Sequence, residues 1–162
     1  MDLIVAVDNN WGIGYKGDLL CSLPSDMKHF KNMTVGKTIV MGRKTLESFP
    51  GKKPLKDRRN IVFSKSLKSD ENMVVVGGLD DLKNIELKNC FVVGGENIYR
   101  LLLPYTKYAY ITKIDKAFTA DTFFPNLDEM ENWEVAEELD TIFENGIFAR
   151  ILKYENRDVK SL

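Results

Sequence analysis

Two cysteines, one histidine, five prolines and no apolar run long enough to cross a bilayer are what this 162-residue sequence offers where many chains offer more. Each shortage excludes a class. Cys21 and Cys90 stand far apart, one in an expected loop and one entering an apolar run, which fits reduced thiols and not a disulfide framework. His29 is the sole histidine and no cysteine pair has ligand spacing, so no transition-metal site is expected. The start, Met1-Asp2-Leu3-Ile4-Val5-Ala6-Val7, lacks the basic region of a signal peptide. The expectation is a cytoplasmic protein with no membrane partner. The formal net charge of -1 argues against a nucleic-acid footprint.

The charge is unevenly spread. Between Arg43 and Lys68 nine cations face only Glu47 and Asp57, a cationic rim suited to small anions. From Asp121 to Glu144 acids dominate, which reads as a solvated face.

The length fits one domain, residues 1–162, able to bury about two thirds of its unfolded surface. Asp2 to Asp8 is a continuous apolar run, the pattern of a strand buried on both faces. The glycine-rich stretch from Asn9 to Leu23 reads as a loop, and such loops inside small domains are usually functional or mobile. Further strands are expected at Lys37 to Met41, Asn60 to Ser64, Met73 to Val76, Cys90 to Val93 and Tyr108 to Asp115. Helices are expected at Pro24 to Val35, Arg43 to Phe49, Leu79 to Ile85 and Glu96 to Leu103. Trp133 to Leu139 and Ile147 to Glu155 alternate like antiparallel strands about the turn Glu144-Asn145-Gly146. This order predicts an α/β fold, a mostly parallel sheet with an antiparallel C-terminal edge.

The helix opening at Pro24 carries Asp26 in its first turn, beside Phe30 and flanked by Met27 and Leu23. From periodicity, the carboxylate either stabilises the helix end in solvent or lies on the buried face, where dipole and desolvation pull its ionisation in opposite directions. Open sheets bind ligands beyond the carboxyl ends of their strands. Three strand-glycine-helix junctions qualify: Gly42-Arg43, Gly77-Gly78 and Gly94-Gly95. None is a dinucleotide fingerprint or a Walker loop. The second is the poorest, since Asp80 and Asp81 occupy its first turn; the first is the best, since Arg43 and Lys44 are supplied there.

Six motifs in register then carry a resemblance: Ile13-Gly14, Leu23-Pro24-x-Asp26-x-x-x-Phe30, Met41-Gly42-Arg43-x-Thr45-x-Glu47-Ser48, Arg58-x-Asn60-Ile61, Val93-Gly94-Gly95-x-x-Ile98-Tyr99 and Asp121-Thr122-x-Phe124-Pro125. Together they resemble bacterial dihydrofolate reductase over essentially the whole chain. The resemblance implies an eight-stranded sheet with helices on both faces, a monomer, and hydride transfer from NADPH to 7,8-dihydrofolate. It assigns Asp26 to the pterin as catalytic residue, with Thr112 supporting that contact and Arg58 on the substrate's glutamate. Ile4, Val5, Met27, Phe30, Phe49 and Leu55 would line the substrate, although plain core fits Ile4, Met27, Phe30 and Leu55 equally. Ala6, Ile13 and Gly14 would border the nicotinamide of NADPH; Gly94, Gly95 and Tyr99 would lie against its pyrophosphate and nicotinamide; Arg43, Lys44 and Thr45 would take its adenosine-phosphate side, where Arg43 with Ser64 and Lys65 would read the 2′-phosphate; and Gly42 and Thr122 would also contact the cofactor. The loop from Asn9 to Leu23 corresponds to a mobile lid, met by Asp121 from another loop.

One departure stands out: Leu20-Cys21 occupies the place where most relatives carry Pro-Trp, a tryptophan that helps to order water near the pterin. Two rivals follow. A sibling reductase acting on a riboflavin-pathway pyrimidine would not be expected to carry Asp26 and Arg58 in these contexts. A catalytically silent nucleotide-binding module is kept open by Leu20-Cys21.

Overall fold

A computed structural model describes residues 1–162. In chain order the elements are β1 (Asp2–Val7), β2 (Gly12–Gly14), α1 (Pro24–Thr34), β3 (Thr38–Gly42), α2 (Arg43–Ser48), β4 (Arg59–Phe63), β5 (Met73–Val76), α3 (Leu79–Leu82), β6 (Cys90–Gly94), α4 (Glu96–Leu102), β7 (Tyr108–Ile114), β8 (Thr122–Phe123), β9 (Trp133–Glu144) and β10 (Ile147–Asn156). Eight strands form one sheet in the order β5-β4-β3-β6-β1-β7-β10-β9. Neighbours from β5 to β7 are parallel, whereas β10 pairs antiparallel with both β7 and β9. The expected parallel sheet with an antiparallel edge is therefore present.

Helices cover both faces, and β1 shows why. Its alternation sends Leu3, Val5 and Val7 into a cluster with Leu82 of α3 and Tyr99 and Leu102 of α4. Ile4 points the other way, into a cluster with Leu46 of α2 on which Phe30 and Met33 of α1 pack. Ala6 joins a third cluster on that second face, around Leu23 and Ile151. No helix is long and apolar enough to cross a membrane.

Most strand and helix ends move by a residue, and four differences have a clear local reason. The segment from Asn9 to Leu23 is not wholly loop, because Gly12 and Gly14 of β2 pair with Phe123 and Thr122 of β8, elements too short to show a period. α1 ends at Thr34, and Gly36 turns the chain at φ +78 with its N–H donating to the Asp57 carbonyl at 2.7 Å. α3 stops at Leu82 and not Ile85, because the N–H groups of Asn84 and Ile85 reach only three residues back, to Asp81 and Leu82. β9 runs on to Glu144, beyond the expected Leu139: register shifts at Ile151/Leu152 and Lys153/Tyr154 interrupt the alternation through its middle, where the sequence pattern gives out.

Candidate active site

Pro24 takes the first helical position of α1, as its fixed φ favours, and so sets Asp26 in the first turn. The free N–H groups at this end are met by a residue from far along the chain. Glu144 Oε1 accepts from the Ser25 N–H at 2.8 Å and its Oε2 accepts from the Ser25 hydroxyl at 2.7 Å. Glu144 is thus not simply part of a solvated acidic face, and no local sequence pattern points to this contact.

With α1 fastened, Asp26 faces the sheet. The Thr112 hydroxyl donates to Asp26 Oδ1 at 2.5 Å, and Thr112 is buried in β7 opposite Ala6 of β1. Burial pushes the Asp26 carboxyl above the ordinary carboxylate range; the Thr112 hydrogen bond and then His29, one turn along, oppose this, while Glu144 adds to it. Of the two orientations open to Asp26 from periodicity, the half-buried, sheet-facing one is realised.

The other substrate-side residues divide. Ile4 is buried on the same sheet face, and Phe30, Phe49 and Leu55 pack around it half-buried. Met27 is 58% exposed beside Asp26, so plain core does not describe it. Val5 differs: its side chain lies in the α3–α4 cluster, on the opposite face from Asp26, because the strand alternates there. Only its main chain can border the Asp26 side. Arg58 is anchored by its Nε–H to Thr34 Oγ1 at 2.9 Å and by an Nη–H to the Lys56 carbonyl at 2.8 Å.

Across β1 from this face lies the Gly94-Gly95 junction, whose peptide is cis. Gly94 has φ +130, which a side chain would strain, and a Cβ there would lie 3.2 Å from Thr45 Oγ1 and 3.6 Å from the Tyr99 hydroxyl. A Cβ on Gly95 would meet Thr45 Oγ1 at 3.4 Å. The missing side chains thus let Thr45 and Tyr99 pack directly against this backbone, a cradle at the start of α4. Tyr99 itself is buried, its hydroxyl donating to the Ile4 carbonyl at 2.8 Å, and burial raises its pKa with the Asp26 charge adding to it. That bond ties the cradle to the strand carrying Ile4 and Ala6. Gly42 closes the end of β3, where a Cβ would meet Ile98 at 3.1 Å. Arg43 and Lys44 follow, exposed, with Arg43 paired to Glu47 at 2.7 Å. At the end of β4, Ser64 is half-buried and accepts from the Leu67 N–H at 3.0 Å, while Lys65 is exposed. At Gly77 the Asp81 carboxylate accepts from the backbone N–H at 2.8 Å, so the poorest of the three junctions is filled by its own side chain.

The loop before α1 is held at its start and in its middle. Asp8, buried and outside every motif of the sequence, accepts from Gly12 N–H at 2.8 Å and Asn10 N–H at 2.9 Å through Oδ1, and from Phe118 N–H at 2.9 Å through Oδ2. An aspartate ending an apolar run before Asn-Asn is the signal that could have found it. Farther on, Asp121 Oδ2 accepts from the Lys16 N–H at 2.9 Å and its own N–H donates to the Gly14 carbonyl at 2.9 Å, the expected loop contact. Ile13 packs half-buried on the large cluster, and Gly14 abuts Thr122, whose Oγ1 a Cβ would meet at 2.8 Å. Cys21 is half-buried against the Leu23 cluster; burial raises its thiol pKa, and the charge of nearby Asp26 adds to this. Trp11 is buried with its ring 6.2 Å from that of Phe124, part of the core and not of this site.

Known proteins resemble this chain in sequence and fold. The family model described as dihydrofolate reductase matches residues 1–155. The chain is 41% identical over 138 residues to a dihydrofolate reductase of Bacillus subtilis, covering 83% of this chain and 80% of the relative. It is 36% identical over 141 residues to that of Staphylococcus aureus, covering 86% of each. It also superposes with a TM-score of 0.85 and 28% identity on a dihydrofolate reductase from Enterococcus faecalis complexed with NADP(H) and RAB-propyl, covering 97% of this chain and 96% of that one.

Proposed function

The chain belongs to the dihydrofolate reductase family, and on that premise we propose that it reduces 7,8-dihydrofolate to 5,6,7,8-tetrahydrofolate with NADPH, adding hydride at C6 and a proton at N5. The observation that carries this reading is the half-buried Asp26, held at 2.5 Å by Thr112 on the same sheet face as Ile4 and Ala6.

NADPH, when bound, supplies the hydride. The residues present fit it: the Gly94-Gly95 backbone at the start of α4 would hold the pyrophosphate side through its N–H groups, Ala6, Ile13 and Gly14 would border the nicotinamide, and Thr122, against Gly14, would also contact the cofactor. Arg43, Lys44, Ser64 and Lys65 would hold the adenosine phosphates, where Arg43 could read a 2′-phosphate with its planar donors.

Asp26 does the positioning. Its two oxygens accept the pterin 2-amino group and adjacent ring N–H as a pair, which fixes the ring for reaction. Thr112 holds the carboxyl in that orientation. The raised pKa keeps a proton at Asp26 to higher pH than an ordinary carboxyl would, which favours delivery toward N5, and a water relay spans the remaining distance. Ile4, Phe30, Phe49 and Leu55 form apolar walls, Met27 rims the opening, and the Arg58 guanidinium takes the substrate's α-carboxylate. Closure of the loop before α1 excludes water. The same reading makes the protein a cytoplasmic monomer that supplies tetrahydrofolate to one-carbon and thymidylate metabolism.

The test is loss of NADPH absorbance on adding dihydrofolate. Turnover that Asp26→Asn largely abolishes is expected; cofactor binding with no turnover by the wild type overturns the proposal.

A further inference from the structure

β2 and β8 do not belong to the eight-stranded sheet; they form a ribbon of their own, three residues against two. A pair so short holds too few ladder bonds to stand alone. Its place in the molecule is therefore set by what else it meets. Phe124, next to β8, donates its N–H to the Trp11 carbonyl at 2.8 Å, and its ring packs in the core against Trp11 and Tyr99. Phe123, by contrast, spends both its main-chain groups on α4. Glu96 Oε1 accepts from the Phe123 N–H at 2.6 Å, and an Arg100 Nη–H reaches the Phe123 carbonyl at 3.5 Å. Glu96 and Arg100 lie one turn apart on α4, their charged groups 3.9 Å from each other.

Glu96 sits in the first turn of α4, directly after the Gly94-Gly95 cradle. The helix dipole favours an acid there, but the same charge opposes any anion held at that end. The bond to Phe123 gives this carboxylate a task that the dipole alone does not.

We propose that Glu96 is a positioning residue that fixes β8, and through β8 the Gly12–Lys16 part of the loop before α1, to the helix that begins at the cofactor cradle. This rests on the reading of Gly94-Gly95 as the pyrophosphate side given above. The route runs from Glu96 to Phe123, along β8 to Asp121, and from Asp121 to the Gly14 carbonyl and the Lys16 N–H, each at 2.9 Å. Holding the ribbon sets Ile13 and Gly14 in place for the nicotinamide before NADPH arrives, which lowers the ordering cost of binding.

Glu96→Gln and Glu96→Ala both remove the charge, and only the first keeps an acceptor for the Phe123 N–H, so their difference isolates the hydrogen bond. Two quantities are measured on the full chain: amide exchange at Lys16, Asp121 and Phe124, whose acceptors are residues other than Glu96, and Kd for NADPH. In Glu96→Ala these amides should exchange about tenfold faster than in Glu96→Gln, while amides of β3 and β6 keep their rates. Kd should be about three- to tenfold higher in Glu96→Ala than in Glu96→Gln. Equal exchange or equal Kd in the two variants overturns the role of Glu96. Exchange that quickens alike throughout the chain also overturns it, since that marks a general loss of stability. Wild-type protein that does not bind NADPH overturns the cofactor reading beneath it, and the exchange comparison in the free protein still decides what Glu96 does.

Discussion

The Thr112 hydroxyl reaches Asp26 Oδ1 at 2.5 Å across the space between a sheet strand and a helix's first turn. One relation here serves two ends. It supplies a donor to a buried carboxyl, and it lowers a pKa that burial raises, so that the acid stays titratable.

Asp26→Asn separates stability from chemistry. Because burial raises its pKa above 3.8, the folded state holds this proton more tightly than the unfolded chain does. That contribution to stability is full below the unfolded pKa and is lost as pH rises through the raised folded value. The variant should therefore be more stable than wild type at neutral pH, by about 2–4 °C in Tm for each kcal/mol, and the gain should vanish in acid. Turnover at neutral pH should drop about 100-fold or more. Paired thermal melts across pH and initial rates check both halves.

Thr112→Val removes the hydrogen bond that opposes burial. The Asp26 pKa should climb further, moving the alkaline limb of the kcat/KM profile to higher pH and lowering its plateau about tenfold. An unmoved limb would mean that Thr112 only orients the carboxyl.

Much of this architecture is legible in the amino-acid sequence. Apolar runs such as Leu3 to Val7 announce buried strands, and Pro24 with Asp26 announces a helix start, because those signals are local. Thr112 carries no local signal at all; its role follows from β7 pairing with β1, a contact between residues far apart in the chain. Glu144 at the Ser25 N–H and Asp8 at the Phe118 N–H are of the same kind. Val5 shows a subtler limit: membership of the right strand says nothing about which face a side chain takes, and here alternation leaves only its main chain toward Asp26.

Asp8→Ala should cost stability out of proportion to its size. Three backbone N–H groups lose their acceptor, at Asn10, Gly12 and Phe118. The expected loss is about 2–4 kcal/mol, or about 5–15 °C in Tm. Faster amide exchange confined to residues 9–23 and near Phe118 would locate the damage.

Arg43→Ala should alter cofactor choice with little effect on the fold. Arg43 and Glu47 form an exposed pair one turn apart, so stability should move by no more than about 0.5 kcal/mol. If Arg43 reads a 2′-phosphate, the preference for NADPH over NADH should fall about tenfold. An unchanged preference would shift that role to Lys44 or Lys65.

Cys21 is half-buried beside Asp26, and its surroundings set two expectations. Burial and the Asp26 charge both raise its thiol pKa, so a disulfide reagent should label it slowly at neutral pH and faster as pH rises. Cys90, buried and pushed up to about 12, should stay unlabelled until the protein unfolds. Cys21→Trp would add bulk and an N–H donor beside the acid, excluding solvent from it. Desolvation would then raise the Asp26 pKa further and move the alkaline limb of the rate profile upward. A profile that does not move would show that the carboxyl is already shielded by Thr112 and the helix end, and that position 21 leaves it untouched.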